Sequence, residues 1–327
     1  GDTAHALGLG FILWFEPERA VPDTWLPVNH PEWLLGCTEV PADHSYQTHW
    51  KLLDLGNPDA LDWVKTKISS MMSEYGVDIY RHDFNMFPLY AWRAHDMPDR
   101  QGMTEIRYIE GFYAFWDYLL EQHPGLVIDN SAAGGRRLDL ETIRRSIPFF
   151  RTDYFWVANA DQDMTYALSH WLPIHAMGVH LARDTYTFRS GMGTSVALAY
   201  NYLADTMPWD WLRARLAEYN SIREYFYGDY YPLLSGTFDG SFWIAYQFDR
   251  PDLGAGMILA FRRVGSNRGT VQLTPGGLEP SSKYVFTFVD TGVTVTLTGA
   301  EAERAGLEVA LDGGPESALI TYQLQPS

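Results

Sequence analysis

Between Asn57 and Asp83 the chain spells out one complete β/α unit, and this stretch limits the fold more than any other. Asn57-Pro58-Asp59 has the residues of a helix start. The asparagine side chain caps freed backbone N–H groups, the fixed φ of proline suits the first turn, and an acid sits at the positive end of the helix. Leu61, Val64, Ile68, Met71 and Met72 then recur at helical spacing, and Gly76 follows as the residue suited to close the helix. The run Val77-Asp78-Ile79-Tyr80 predicts a strand that leads directly into Arg81-His82-Asp83. A strand that enters from a helix and ends in polar residues is the building block of a parallel sheet.

The same grammar recurs along the first 230 or so residues. The run 8–15 ends at Glu16-Pro17-Glu18 and reads as a buried strand with a polar mouth. A helix over about 104–122 carries Ile106, Ile109, Phe112, Phe115, Trp116 and Leu119, and Pro124-Gly125 breaks it. Leu126-Val127-Ile128 leads to Asp129-Asn130-Ser131. A helix near 139–146 leads to the short run Pro148-Phe149-Phe150 and then to Arg151-Thr152-Asp153. Further strands are expected at 172–175 and 196–199, and a helix over about 209–227. After Gly228 the texture changes to short alternating strands: Tyr284, Phe286 and Phe288; Val293, Val295 and Leu297; Leu307, Val309 and Leu311. The expectation is a β/α portion over 1–230 followed by an antiparallel β-sandwich domain over 231–327.

Composition narrows the function classes. A net charge of −17 disfavours nucleic acid and anionic membranes as partners, and serves solubility in any case. No apolar run is long enough to span a bilayer. The single cysteine, Cys37, leaves no room for a disulfide framework or a cysteine-rich metal site. With no basic-then-apolar leader in the first residues, the expectation is a cytoplasmic protein. The 12 Trp and 20 Tyr suit stacking on sugar C–H faces, but they equally suit a large core.

In a parallel β/α barrel the chemistry gathers where the strands end. The residues there are Glu16 and Glu18, Asp83 and Asn85, Asp129 and Asn130, and Asp153. Carboxylates dominate, and histidines are scattered without metal-binding spacing, so no metal is expected. His82 reads as a rim or core histidine. Two carboxylates on opposite faces of a sugar can cleave a glycosidic bond, one attacking the anomeric carbon and one protonating the leaving oxygen. Asp83 and Asp153 suit these roles, because they end strands separated by one intervening strand. A retaining reaction needs about 5–5.5 Å between the two carboxyl groups. Taken singly, each has a plainer alternative: strand-end carboxylates also cap helices or pair with arginine, and Arg151 lies two residues before Asp153.

Several of these segments resemble family 36 glycoside hydrolases, the bacterial α-galactosidases. Trp14-Phe15-Glu16-Pro17-Glu18 is similar to that family's W-F-E-P-E motif, and Arg81-His82-Asp83-Phe84-Asn85 to its K-W-D-M-N. The stretch 131–137, Ser-Ala-Ala-Gly-Gly-Arg-Arg, resembles C-x-S-G-G-x-R, and Arg151-Thr152-Asp153 stands where the family has its S-D acid/base. The resemblance implies a (β/α)8-type TIM barrel, partial on this chain at about six units, and retaining hydrolysis of terminal α-linked galactose without cofactor. Asp83 would be the nucleophile and Asp153 the acid/base. Trp14, Arg81, Asn85, Ser131 and Ala133 would bind the sugar. Arg81, His82, Met86, Ser131 and Ala133 depart from the family pattern, which leaves a related α-glycosidase or a transglycosylase as alternatives, and the family segments missing before the first strand leave an inactive sugar-binding fragment as another. The family's first two β/α units and its Asp-Asp-Gly-Trp motif have no counterpart here. The missing N-terminal segment, or another subunit, is therefore expected to close the barrel, and self-association into a homo-oligomer is expected.

Overall fold

The structure, a computed structural model, describes residues 1–37, 39–40, 42, 48–180, 182–234 and 239–326, and over 177–180 it describes the backbone alone. The chain forms two compact units, Gly1–Pro148 and Phe149–Ser327.

The first unit is built on a parallel sheet. A short helix α1 (Asp2–Ala6) precedes β1 (Ile12–Phe15), which pairs with β5 (Ile79–His82), and β5 pairs with β6 (Val127–Asn130). Register places Trp14, Arg81 and Asp129 in one row and Phe15, His82 and Asn130 in the next. Between β1 and β5 the chain makes a small antiparallel sheet of β2 (Arg19–Ala20), β3 (Leu34–Leu35) and β4 (Lys51–Leu53), with α2 (Trp25–Asn29) between β2 and β3. The helix α3 (Pro58–Tyr75) starts and stops where its local sequence dictates. Asn57 accepts from the backbone N–H groups of Asp59 and Ala60, and Gly76 closes the helix at φ +63°. Its buried stripe is Ala60, Val64, Ile68 and Met72, a four-residue spacing that lines one face.

After β5 come α4 (Leu89–His95) and α5 (Met103–Gln122), whose buried face of Tyr108, Phe112, Phe115, Trp116 and Leu119 carries the aromatic half of the core. Of the apolar residues expected on that face, Ile106 instead stands half exposed. Gly111 is required, because a Cβ there would meet the Leu55 carbonyl oxygen at 1.9 Å. The short helix α6 (Leu140–Ile143) is held by an Asp139 capping box. The strand expected at 148–150 does not form. The ladder is limited there to one parallel bridge between Asp129 and Ile147.

The second unit begins with α7 (Ala158–Leu168) and a parallel pair, β7 (Met177–His180) and β8 (Val196–Ala199), separated by α8 (Thr185–Ser190). The strand expected at 172–175 lies at 177–180 instead. Pro173 lacks a ladder donor, and His175 is drawn into a buried polar cluster. Helix α9 (Trp209–Ile222) passes into a 3-10 turn over Arg223–Tyr227.

A six-stranded antiparallel sheet follows. Its strands are β9 (Asp229–Pro232), β10 (Ile244–Arg250), β11 (Ala255–Arg262), β13 (Lys283–Phe288), β14 (Thr294–Thr298) and β16 (Glu316–Leu324), ordered β14-β13-β16-β11-β10-β9. Strand alternation divides its side chains between two cores. Met257, Leu259 and Phe261 pack with residues of α8 and α9, whereas Ile258 and Ala260 face a second core. The second core is completed by the two-stranded sheet of β12 (Thr270–Leu273) and β15 (Leu307–Ala310), together with α10 (Gly299–Ala305). No described helix is long and apolar enough to cross a membrane.

Candidate active site

Asp83 follows the last residue of β5, at the carboxyl end of the parallel sheet, the position where such sheets present their chemistry. Its own N–H donates to the Phe15 carbonyl at 2.8 Å, which ties it to the end of β1. Its carboxyl group is ringed by donors. The Trp14 indole donates to Oδ2 at 3.1 Å, and the backbone N–H groups of Phe84 and Ala133 donate to Oδ1 at 2.8 and 3.2 Å. The Asn85 side chain adds a further hydrogen bond. Partial burial pushes the Asp83 carboxyl up, but these hydrogen bonds outweigh it and hold the group below its ordinary value. A half-buried carboxylate kept ionised in this way is fitted to act as a nucleophile or as a charge stabiliser, and not as a proton donor.

The donor from Ala133 comes from an unusual turn. Ser131 N–H donates to the His82 carbonyl at 2.8 Å, and the chain then turns through Ala133 at φ +46° and Gly134 at φ +82°. An alanine in the left-handed region costs about 1 kcal/mol or more, and such strain persists only where surroundings enforce it. Ser131 Oγ is buried and has no hydrogen-bond partner among the described residues. Arg81, on the row with Trp14, is paired with Asp129. Asn85 N–H donates to Glu16 Oε1 at 2.8 Å, and Arg19 also binds Glu16. Burial raises the Glu16 carboxyl above its ordinary value despite these partners. The structure thus gathers Trp14, Asp83, Asn85 and Ala133 into one bonded group, with Arg81 in the same sheet row as Trp14 and Ser131 at the head of the turn.

Beneath Asp83 lies a buried polar network that the strand-end rule only half discloses. Glu18 is fully buried and accepts from the two terminal guanidinium nitrogens of Arg137 at 2.6 and 2.8 Å, from His82 Nε2 at 2.7 Å, and from the Tyr108 hydroxyl. The tautomer of His82 follows from its neighbours. The Trp116 indole N–H can only donate, and it lies 2.9 Å from His82 Nδ1, so Nδ1 is the acceptor and Nε2 carries the proton given to Glu18. Burial also lowers the His82 pKa, in keeping with a neutral ring. His82 is therefore a core histidine. Burial alone would raise the Glu18 carboxyl, but the charge and fork of Arg137, with the His82 bond, hold it far below the usual range. A carboxylate depressed in the folded state stabilises the fold above its unfolded pKa near about 4.3 and loses that contribution as pH falls toward the folded value. Glu18→Ala strands the Arg137 charge in the interior. It is expected to cost about 3–5 kcal/mol of stability, measured by denaturant unfolding at neutral pH.

Asp153 belongs to the second unit, exposed in the segment before α7. The Thr152 hydroxyl accepts from Tyr154 N–H at 3.2 Å, and Tyr154 and Trp156 stand exposed with ring centroids 5.9 Å apart. The plainer alternative for Asp153, a pairing with Arg151, is not formed, because Arg151 has other partners. Arg151 is fully buried and directs its guanidinium to His175 Nδ1 at 2.6 Å, the Asp161 carbonyl at 2.9 Å and the Thr165 hydroxyl at 2.7 Å. Among the described residues, His, Cys, Asp and Glu do not gather into a group of three or more able to hold a metal ion.

The Melibiase family model matches residues 1–201. An α-galactosidase of Escherichia coli is 28% identical over 202 residues, covering 58% of this chain and 26% of that protein. The α-galactosidase AgaA of Geobacillus stearothermophilus is 26% identical over 301 residues, covering 86% of this chain and 40% of that protein. Among solved structures, the α-galactosidase of Lactobacillus brevis superposes with a TM-score of 0.84 at 20% identity, over 100% of this chain and 46% of that one. A variant of AgaA solved in complex with raffinose superposes with a TM-score of 0.81 at 22% identity, over 98% of this chain and 45% of that one. The chain spans less than half the length of these relatives and shares the fold of the solved structures over that span.

Proposed function

Because the chain belongs to the Melibiase family, we propose that it carries the catalytic half of a retaining glycoside hydrolase acting on terminal α-linked galactose. The observation that carries this reading is the Asp83 carboxylate. It sits at the mouth of the parallel sheet and is kept ionised by hydrogen bonds from Trp14, Asn85, Phe84 and Ala133. In the proposed reaction one Asp83 oxygen attacks the anomeric carbon as Asp153 protonates the departing glycosidic oxygen, giving a glycosyl ester on Asp83. Asp153, now a carboxylate, takes a proton from water, which attacks the same carbon and releases the sugar with its configuration retained.

Sugar recognition is assigned to neighbours of the nucleophile. Trp14 offers a half-exposed ring face beside Asp83. Arg81, oriented by Asp129, is proposed to hold a ring hydroxyl, and Asn85, Ser131 and Ala133 complete the pocket wall. The buried and unpartnered Ser131 Oγ supports this role, since a bound hydroxyl would satisfy it. We assign residues 1–230 to the catalytic portion, as part of a (β/α)8-type barrel, and 231–327 to the β domain. Among the described residues β1 pairs only with β5, and its Ile12 and Trp14 are about half exposed. A further β/α segment, or another subunit, is proposed to cover that edge, since an exposed strand edge is a liability.

The test compares initial rates on aryl α-galactoside, aryl α-N-acetylgalactosaminide and aryl β-arabinopyranoside. The α-galactoside is expected to have the highest kcat/KM. Turnover of none of the three would remove the hydrolase reading.

A further inference from the structure

Resting on Asp83 as the attacking carboxylate, we propose that the buried pair Glu18–Arg137 is a positioning device for it, gripping the residues on both sides of Asp83 and the turn that donates to its oxygen. The residue before Asp83 is held by Glu18, which receives the proton of His82 Nε2 at 2.7 Å. The residue after it is held by Arg137, whose guanidinium lies 4.3 Å from the ring centre of Phe84 and 4.3 Å from that of Phe112. Arg137 is thus stacked between the nucleophile's neighbour and helix α5, and its fork closes on both oxygens of Glu18. The Phe84 backbone N–H is itself the nearer donor to Asp83 Oδ1, at 2.8 Å.

The same arginine ends the turn that supplies the other backbone donor, Ala133 N–H at 3.2 Å. The Arg137 carbonyl accepts from Asn130 Nδ2 at 2.8 Å and from the Thr142 hydroxyl, so the turn is pinned from both sides. Ala133 sits in a left-handed conformation that an alanine leaves when released. Releasing the Arg137 side chain therefore shifts Phe84 directly and leaves the end of the turn held only through the Arg137 carbonyl.

A lysine cannot substitute here. The site uses a planar fork and two stacking faces, which an ammonium lacks. Stability alone does not account for the pair either, since a buried ion pair replaced as a whole by groups of similar volume is often neutral or stabilising.

The test uses the double variant Glu18→Gln with Arg137→Met, which removes both charges together, and the single variant Arg137→Lys. Three quantities are read: the melting temperature, the ¹³C titration of the Asp83 carboxyl assigned through Asp83→Asn, and kcat and KM on aryl α-galactoside across pH. The double variant is expected to melt near the wild-type temperature. Its Asp83 titration and the acid limb of kcat/KM should rise by about one pH unit as donors to the charged form are lost. Its kcat should fall by about 10- to 100-fold with KM little changed. Arg137→Lys should move in the same direction, and it carries the readout if the double variant does not fold. An unchanged Asp83 titration and unchanged kcat in a folded variant overturn the proposal. If the wild type turns over no galactoside, the functional reading falls, and the carboxyl titration still decides the positioning role.

Discussion

Replacement of Asp83 by glycine is expected to lower kcat on an aryl α-galactoside by at least about 10⁴-fold, because the covalent step loses its nucleophile. The variant also opens a space where the carboxyl group stood, on the face of the sugar opposite the leaving group. Added azide can occupy that space and attack the anomeric carbon of a substrate with a good leaving group. The product would be the β-galactosyl azide, inverted relative to the substrate. Asp83→Asn serves as the control: it nearly preserves volume, leaves no room for azide, and should be equally slow without rescue. In the wild type, hydrogen bonds hold Asp83 below its ordinary value. The acid limb it sets on kcat/KM should therefore lie below the free aspartate value of about 3.9, and activity should persist into more acidic solution than an unassisted carboxylate allows. Full activity in Asp83→Gly, or an azide product of retained configuration, would remove the nucleophile assignment.

What could be seen in the sequence divides by the range of the interaction. The helix α3 was legible because its determinants are local: Asn57 caps, Pro58 enters, Gly76 closes, and Val64, Ile68 and Met72 mark the face. The strand-end rule singled out Asp83 and Glu18 alike, because both follow apolar runs, but it could not rank them. Their fates depend on partners far along the chain. Arg137 lies 119 residues from Glu18 and turns that carboxylate into a buried anchor, while the donors of Trp14 and Ala133, 69 and 50 residues from Asp83, leave the other half exposed and ionised. The Ala133 contribution was invisible for a second reason: it is a backbone N–H, and any residue type carries one. Arg151 shows the limit of reading partners from closeness along the chain. Closeness in sequence suggested Asp153 as its partner, whereas burial matched it with His175, Thr165 and a carbonyl on α7. The strand expected at 148–150 is reduced to a single bridge one residue earlier, at Ile147.

Asp153 should respond to substitution in a way that depends on the leaving group, and this dependence distinguishes a proton donor from a merely structural carboxylate. An alkyl α-galactoside departs as an alkoxide of high basicity, so its cleavage needs the proton. Asp153→Ala is expected to lower kcat/KM for that substrate by about 10²- to 10⁴-fold. A dinitrophenyl α-galactoside departs unaided, so its first step should be nearly unimpaired. The second step still lacks the base that activates water. The glycosyl ester on Asp83 would then accumulate, visible as a burst of dinitrophenol followed by slow turnover, with a lowered KM. Azide needs no base, and it would attack the ester from the face opposite Asp83, giving the α-galactosyl azide with retained configuration. The two variants therefore yield azides of opposite configuration from one substrate series, and each outcome names the role of the residue removed. A uniform loss across all leaving groups, or no response to azide, would assign Asp153 to structure and require another acid for the reaction.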